Sequence, residues 1–296
     1  MDYVLWIADE YAFDVIYSSF SYLGLPNLAR DDMLRQSCSL LCISGFGAYA
    51  IYMIFSTISF YLFFDKNLMK HPRFLKNQIQ QEIKMATDSI PTMALLTVPV
   101  FLLEVRGYSQ LYENVEEHGW PYLFLSVFAF LFATDFGIYW IHRGLHHRGI
   151  YAYIHKSHHK WIVPTPYASI AFHPVDGWAL SLPYHICVFL FPMNKSLYLA
   201  LFIFVQVWSI LIHDGKYLTK DPVINSAAHH TVHHLYLNSN YGQYFTLWDR
   251  LGGSYRKPTE EIYNIESRSP TKNGLSGAAE HEASTLKSKP ALLKSP

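Results

Sequence analysis

The chain has 296 residues, of which 51% are apolar, 17% aromatic and only 16% charged, with acidic and basic side chains in equal number. A soluble domain carries about a quarter charged residues, so this composition argues against an ordinary soluble enzyme. The zero formal charge argues against a nucleic-acid-binding surface. Three cysteines without a CxxC pair, Cys38, Cys42 and Cys187, read as small buried side chains rather than a disulfide framework or zinc ribbon.

In chain order, residues 1–36 form an acidic segment without the basic start of a cleaved signal peptide. Residues 37–64 then run 28 positions without a charge. About 20 apolar residues cross a bilayer core, so this is a spanning helix. Residues 89–103 are shorter and hold two prolines, and span only if the helix begins near Lys84. Residues 120–141 make a third span with one charge, Asp135. Residues 178–192 and 196–212 are joined by only three residues and read as a helical hairpin, its first arm short enough to be re-entrant.

The fold expected is therefore all-α: a polytopic membrane bundle of about four spanning helices over residues 37–257. The polar stretch 258–296 reads as a disordered tail. The 65–88 loop holds Lys66, Lys70, Arg73, Lys76 and Lys84, whereas the 104–119 loop sets Arg106 against Glu104, Glu113, Glu116 and Glu117. The positive-inside rule puts the first loop in the cytosol, and with it the residues that follow the third span and the hairpin.

Those residues are histidine-rich. Three boxes stand out: His142 with His146 and His147; His155 with His158 and His159; and His230 with His233 and His234, preceded by His229. Residues three or four apart share a helix face, so each box can aim at least two imidazoles one way. Neutral imidazole suits iron, zinc, copper and nickel. Eight or more such nitrogens on one membrane face suffice for two metals and form a histidine-rich di-metal cap. Spacing leaves open which of His146 and His147 binds. His173 and His213 are further candidates, each near an aspartate, Asp176 or Asp214, able to orient a ligating ring. His71, His118, His185 and His281 read as satisfied core or surface residues. No carboxylate falls inside a box and no H-E-x-x-H occurs, so the pattern favours oxygen activation over hydrolysis.

The boxes HRGLHH, HKSHH and HHTVHH resemble the fatty acid hydroxylase and sterol desaturase superfamily. The flanking stretches "FLKNQI", "FLLEVRGYS", "PTPYAS", "AFHPVDG", "SLPYH" and "NYGQYFTLWDRLGGS" are similar to those of its sterol C5-desaturases. That resemblance covers the chain to about residue 257. It implies a multi-pass protein of the endoplasmic reticulum membrane with its metal site facing the cytosol. It also implies two non-haem iron ions, molecular oxygen, and electrons from NAD(P)H through cytochrome b5 and its reductase. The reaction implied is conversion of a 7-ene sterol to the 5,7-diene. The family's ligands fall on His142, His146 or His147, His155, His158, His159, His230, His233 and His234, and His213 matches a further position. Where related hydroxylases have one more histidine, this chain has Ser209, so a tenth nitrogen would have to come from His173 or His229. Competing expectations are a sterol C4-methyl oxidase, a lipid hydroxylase, or a membrane metal carrier. Trp161, Tyr167, Phe172 and Trp178 are expected to line a sterol channel or form an interfacial belt. Arg143, Arg148, Lys156 and Lys160 are expected either to dock an acidic electron donor or merely to flank the membrane.

Overall fold

The computed structural model describes residues 1–260 apart from 21, 23, 25 and 218. The tail expected over 258–296 therefore lies, from 261 onward, outside the described residues. Two short helices, α1 (Asp2–Ala8) and α2 (Asp14–Phe20), precede the bundle. Buried Arg35 ties them down by donating to Asp9 at 2.7 Å and also to Asp14.

Four helices are long and apolar enough to cross a membrane: α3 (Met33–Leu62), α4 (Gln78–Val105), α5 (Gly119–Leu145) and α8 (Lys195–Ile212). The Asp32 carboxylate caps α3 by accepting from the backbone N–H groups of Leu34 and Arg35. Helix α4 starts six residues before Lys84. Its first turns are polar because they hold a loop. Gln78 donates to the Val163 carbonyl at 2.8 Å, and Glu82 accepts from the hydroxyl of Thr165. Sequence polarity there marks a packing contact rather than solvent. Cys38 and Cys42 are exposed rather than buried, because they lie on a face of α3 that no other described element covers. Phe46 and Tyr49 on α3, and Phe124, Phe128 and Phe132 on α5, are likewise exposed, as side chains solvated by lipid would be.

Between α5 and α8 come a short helix α6 (Arg148–Tyr151), a mostly irregular segment through residue 173, and α7 (Pro174–Leu190). Pro174 occupies the first turn of α7, and the His173 ring caps it by accepting from Val175 N–H. At 17 residues α7 is shorter than the four candidate spans. It packs on α5 where Gly137 meets Pro183: a Cβ at 137 would lie 2.8 Å from the proline ring. The far end of the hairpin is closed by two-residue strands, β1 (Leu111–Tyr112) and β2 (Met193–Asn194), paired in parallel. Asn194 then caps α8 and donates to the Glu113 carbonyl, so its side-chain amide is engaged inside the fold. Two more helices, α9 (Ala227–Tyr236) and α10 (Leu247–Leu251), complete the described chain.

One apolar cluster joins Tyr52 and Phe60 of α3 and Ala86 of α4 to Trp161, Tyr167 and Val232 of the cap. A second joins Phe130, Val188 and Val205 of α5, α7 and α8 to Tyr244. Residues of α3, α4, α7 and α8 line a cavity of about 780 Å³, which reaches from the histidine boxes to Glu104 and Lys195. Because Gly137 lets α7 approach α5, Gly137→Leu is expected to cost about 1–3 kcal/mol by overpacking. A lower thermal midpoint of the detergent-solubilised protein checks this.

Candidate metal centre

The cap is assembled from chain ends and turns. Helix α5 delivers His142 in its last turns and stops at His146, its C-cap. His158 and His159 sit in a single 3-10 turn, and His230, His233 and His234 on α9. His213 is the C-cap of α8. Nine rings converge in two groups: His142, His146, His155, His159 and His233 in one; His158, His213, His230 and His234 in the other. Within each group, one nitrogen per ring lies within 4.8 Å of all the others. Eight of the nine are buried and His146 is half-buried. Each group mixes boxes. The α9 pair His230 and His234, one turn apart, serves the second group, while His233 points into the first.

The positions of the protons show what these groups are suited to hold. The Nδ1 atoms of His142, His233 and His213 face the backbone carbonyls of Tyr241, Ser239 and Ser209 at 3.0, 2.8 and 2.7 Å. The Nδ1 of His155 faces the Asp176 carboxylate at 2.7 Å. A carbonyl only accepts, so each of those rings carries its proton on Nδ1 and presents a bare lone pair at Nε2. Yet Nε2 of His142 lies 3.2 Å from Nε2 of His155. Nε2 of His159 lies 3.2, 3.0 and 3.2 Å from Nε2 of His146, His155 and His233. In the second group, Nε2 of His230 lies 2.9 Å from that of His213 and 3.1 Å from that of His234. One N–H cannot serve three such contacts, and two lone pairs at this range repel. A cation with bonds of about 2 Å to imidazole would set neighbouring ligand nitrogens roughly 3 Å apart. The donor set therefore fits two nitrogen-bound metal ions.

Burial keeps the rings in the neutral, ligating form. It depresses His155 to about 3 and His213 to about 4. His158, His159, His230, His233 and His234 are held well below the ordinary value, first by burial and then by neighbouring imidazoles.

Four features escaped the sequence reading. Asp176 orients His155, not the adjacent His173. The carbonyls of Ser239 and Tyr241 orient rings from a turn in which Leu237 and Asn240 take positive φ, at 63° and 57°. Asp135, the lone charge of its span, accepts from the backbone of Gln243 and Tyr244 at 2.9 and 2.7 Å. Asp249 accepts from Tyr241 and Gly242, both at 2.8 Å. The two carboxylates fix the loop that presents the Tyr241 carbonyl to His142. Asp135 carried a signal as a charge inside an apolar run, and Asp176 as a carboxylate near a histidine, although its partner is a different ring.

Three candidates fall outside both groups. His147 is exposed and caps α6. His173 caps α7. His229 turns back to Ser226, 3.2 Å from its hydroxyl. Among the described residues no tenth nitrogen takes the place of Ser209, whose hydroxyl donates to the Ser169 carbonyl. Asp214 accepts from the Lys216 backbone at 2.7 Å, so it does not orient His213. Of the four aromatics singled out, Phe172 alone lines the cavity, its ring 4.4 Å from that of His158. Trp161 and Tyr167 are in the apolar core. Arg143 donates to Tyr139 and the Gly252 carbonyl, whereas Arg148, Lys156 and Lys160 are exposed.

A helical bundle of membrane-spanning length, capped by paired clusters of buried imidazoles, defines the histidine-box class of membrane proteins. Comparison with known proteins narrows this. Residues 127–254 match the family model "Fatty acid hydroxylase". The Delta(7)-sterol 5(6)-desaturase erg31 of Schizosaccharomyces pombe is 52% identical over 90% of this chain and 88% of its own. The lathosterol oxidase of Mus musculus is 48% identical over 94% and 96%, and that of Homo sapiens 50% over 88% and 86%. No solved structure matches. The chain belongs to the sterol desaturase branch of the fatty acid hydroxylase family.

Three outcomes are expected from this geometry. Metal analysis of the purified protein should find two ions per chain, with His233→Ala and His158→Ala each losing metal and His147→Ala keeping both. Asp176→Asn should weaken binding by about 10–100-fold, as removal of a ligand-orienting carboxylate does. Acid should destabilise the metal-free cap. An unfolded histidine takes up its proton near 6.5, whereas buried His155 and His213 do so only near 3 and 4. The unfolded chain thus binds more protons in that window, and stability falls as pH drops through it. Thermal midpoints measured between pH 7.5 and 4.5 after chelation check the sign.

Proposed function

We propose that this chain is a sterol C5-desaturase, which removes one hydrogen from each of C5 and C6 of a 7-ene sterol such as lathosterol to give the 5,7-diene. In animals that step yields 7-dehydrocholesterol in cholesterol biosynthesis. The observation that carries the reading is the cavity: an apolar space open to five of the histidines, His142, His155, His158, His213 and His230, and walled by membrane-spanning helices. A sterol drawn from the bilayer would meet mostly apolar walls, with the clustered histidines at one end. The names of the relatives supply the position of attack, between C5 and C6.

Two iron ions bound by the nine imidazoles would supply the activation of molecular oxygen, with electrons from NAD(P)H delivered through cytochrome b5. The chain's own residues do the rest. Asp176, Tyr241, Ser239 and Ser209 hold four of the rings in one tautomer. Phe172 packs on His158 at the boundary between cavity and cap. Reaction at C5 and C6 rather than elsewhere then depends on how the cavity seats the ring system, since small displacements change which hydrogen faces the metal. Exposed Arg148, Lys156 and Lys160 give the cap a positive rim for an acidic electron donor. The basic 65–77 loop lies at the same end of the bundle as the cap, since Gln78 bonds to Val163 there. The positive-inside rule then favours a cytosolic cap, in the endoplasmic reticulum membrane.

A C4-methyl oxidase or lipid hydroxylase would use the same cap on a different carbon. A metal carrier would need a polar path through the bundle, and the cavity walls are mostly apolar. The test is expression in cells lacking sterol C5-desaturation. The wild-type chain should restore 5,7-diene sterols, read by mass spectrometry, while His158→Ala and His233→Ala lower the yield at least a hundredfold at equal expression. A 4-carboxy or hydroxylated product instead of the diene would replace this assignment.

A further inference from the structure

His185 is 3% exposed on α7, part-way along the cavity. A satisfied core residue was expected there, but the ring is buried without being satisfied. Phe101, Tyr184 and Phe202 enclose it, with ring centroids 5.0, 4.8 and 5.6 Å away. Its Nδ1 has no hydrogen-bond partner among the described residues. The hydroxyl of Tyr184 is already taken by Gln206. One turn beyond Phe202, Tyr198 also lines the cavity, and its buried hydroxyl lacks a partner among the described residues. A neutral imidazole offers one donor and one acceptor, and burying them unmet among aromatic rings is unfavourable. A polar group brought in by the cavity's occupant would relieve the arrangement.

Depth limits what that group can be. His185 follows Asp176, which touches His155, by nine positions on α7, or about 13 Å at the helical rise. On α8, Phe202 precedes His213 by eleven positions, or roughly 16 Å. In a sterol the hydroxyl-bearing C3 is only two bonds from C5. With C5 and C6 at the histidine end, the 3-hydroxyl must be at that end too, and the side chain runs toward His185. The depth of His185 corresponds to the distance from ring B to the end of an extended sterol side chain.

We propose that His185, with Tyr198 beyond it, binds a hydroxyl near the end of the sterol side chain, so that side-chain-hydroxylated 7-ene sterols are preferred substrates. This rests on the desaturase reading and adds a substrate class to it. The test uses membranes containing the full chain, given lathosterol and 25-hydroxylathosterol in competition, with both dienes quantified by mass spectrometry. The wild-type ratio of kcat/KM should favour the hydroxylated sterol about fivefold, the worth of a typical buried hydrogen bond. His185→Phe, which fills the same aromatic cage without a polar atom, should bring the ratio close to one. His185→Gln, which keeps a donor and an acceptor, should retain part of the preference. A purely structural His185 would slow both substrates alike and leave the ratio unchanged, which overturns the proposal. A wild-type ratio near one overturns it as well, whether or not His185→Phe accumulates in the membrane. Failure of the wild-type chain to make any diene from lathosterol would instead count against the desaturase reading itself.

Discussion

Lone pairs that face one another at 3.2 Å or less repel, and the cap is built around such contacts. Three backbone carbonyls and one carboxylate fix protons on the outer nitrogens of four rings. The inner nitrogens are thereby left bare and aimed inward. Everything else in the cap serves this arrangement. Burial keeps the rings neutral, the 237–240 turn supplies the carbonyl for His233, and Asp135 and Asp249 steady the loop that supplies the carbonyl for His142. A cation turns the repulsion into binding energy. A bound metal would therefore be coupled to the fold, because the clustered rings are held in a state that is costly without an ion.

The membrane bundle positions this cap over the apolar cavity. Helix α4 shows how one element serves both. Its later turns line the cavity through Ile90, Ala94 and Phe101, while Gln78 and Glu82 at its start anchor the loop that follows the second box. Helix α7 does the same in shorter form, with Asp176 on a ligand and His185 in the cavity. The cavity and the cap thus share rigid elements. A ring system held against α7 is placed relative to His155 by a single helix, which is how a site can distinguish neighbouring carbons of one substrate.

Much of this was legible in the sequence. Three of the four long helices follow from long apolar runs alone, and the ligand clusters from histidines at helical spacing. What escaped has physical reasons. The start of α4 is polar because it faces a protein loop, and hydropathy cannot tell that from water. Cys38 and Cys42 are exposed because lipid solvates the outside of α3. Spacing could not choose between His146 and His147, since the choice depends on where α5 stops and the chain turns at His147. Adjacency suggested that Asp176 serves His173. Folding gives it to His155, because Pro174 starts a helix there and turns the His173 ring to its cap. Backbone carbonyls as ring-orienting partners leave no trace in the residue types at all.

The interleaving of boxes bears on how the protein is made. Neither ion site can form from a contiguous stretch: the first needs His142 through His159 together with His233, and the second joins His158 to a partner 76 positions later, His234. Asp135 likewise waits for the backbone of residue 244, more than a hundred positions downstream. While the spanning helices insert one after another during synthesis, the cap must stay incomplete until the segment after α9 has emerged. Metal loading of such a centre would therefore come late in biogenesis, and chains truncated before residue 240 would lack the carbonyls that orient His142 and His233.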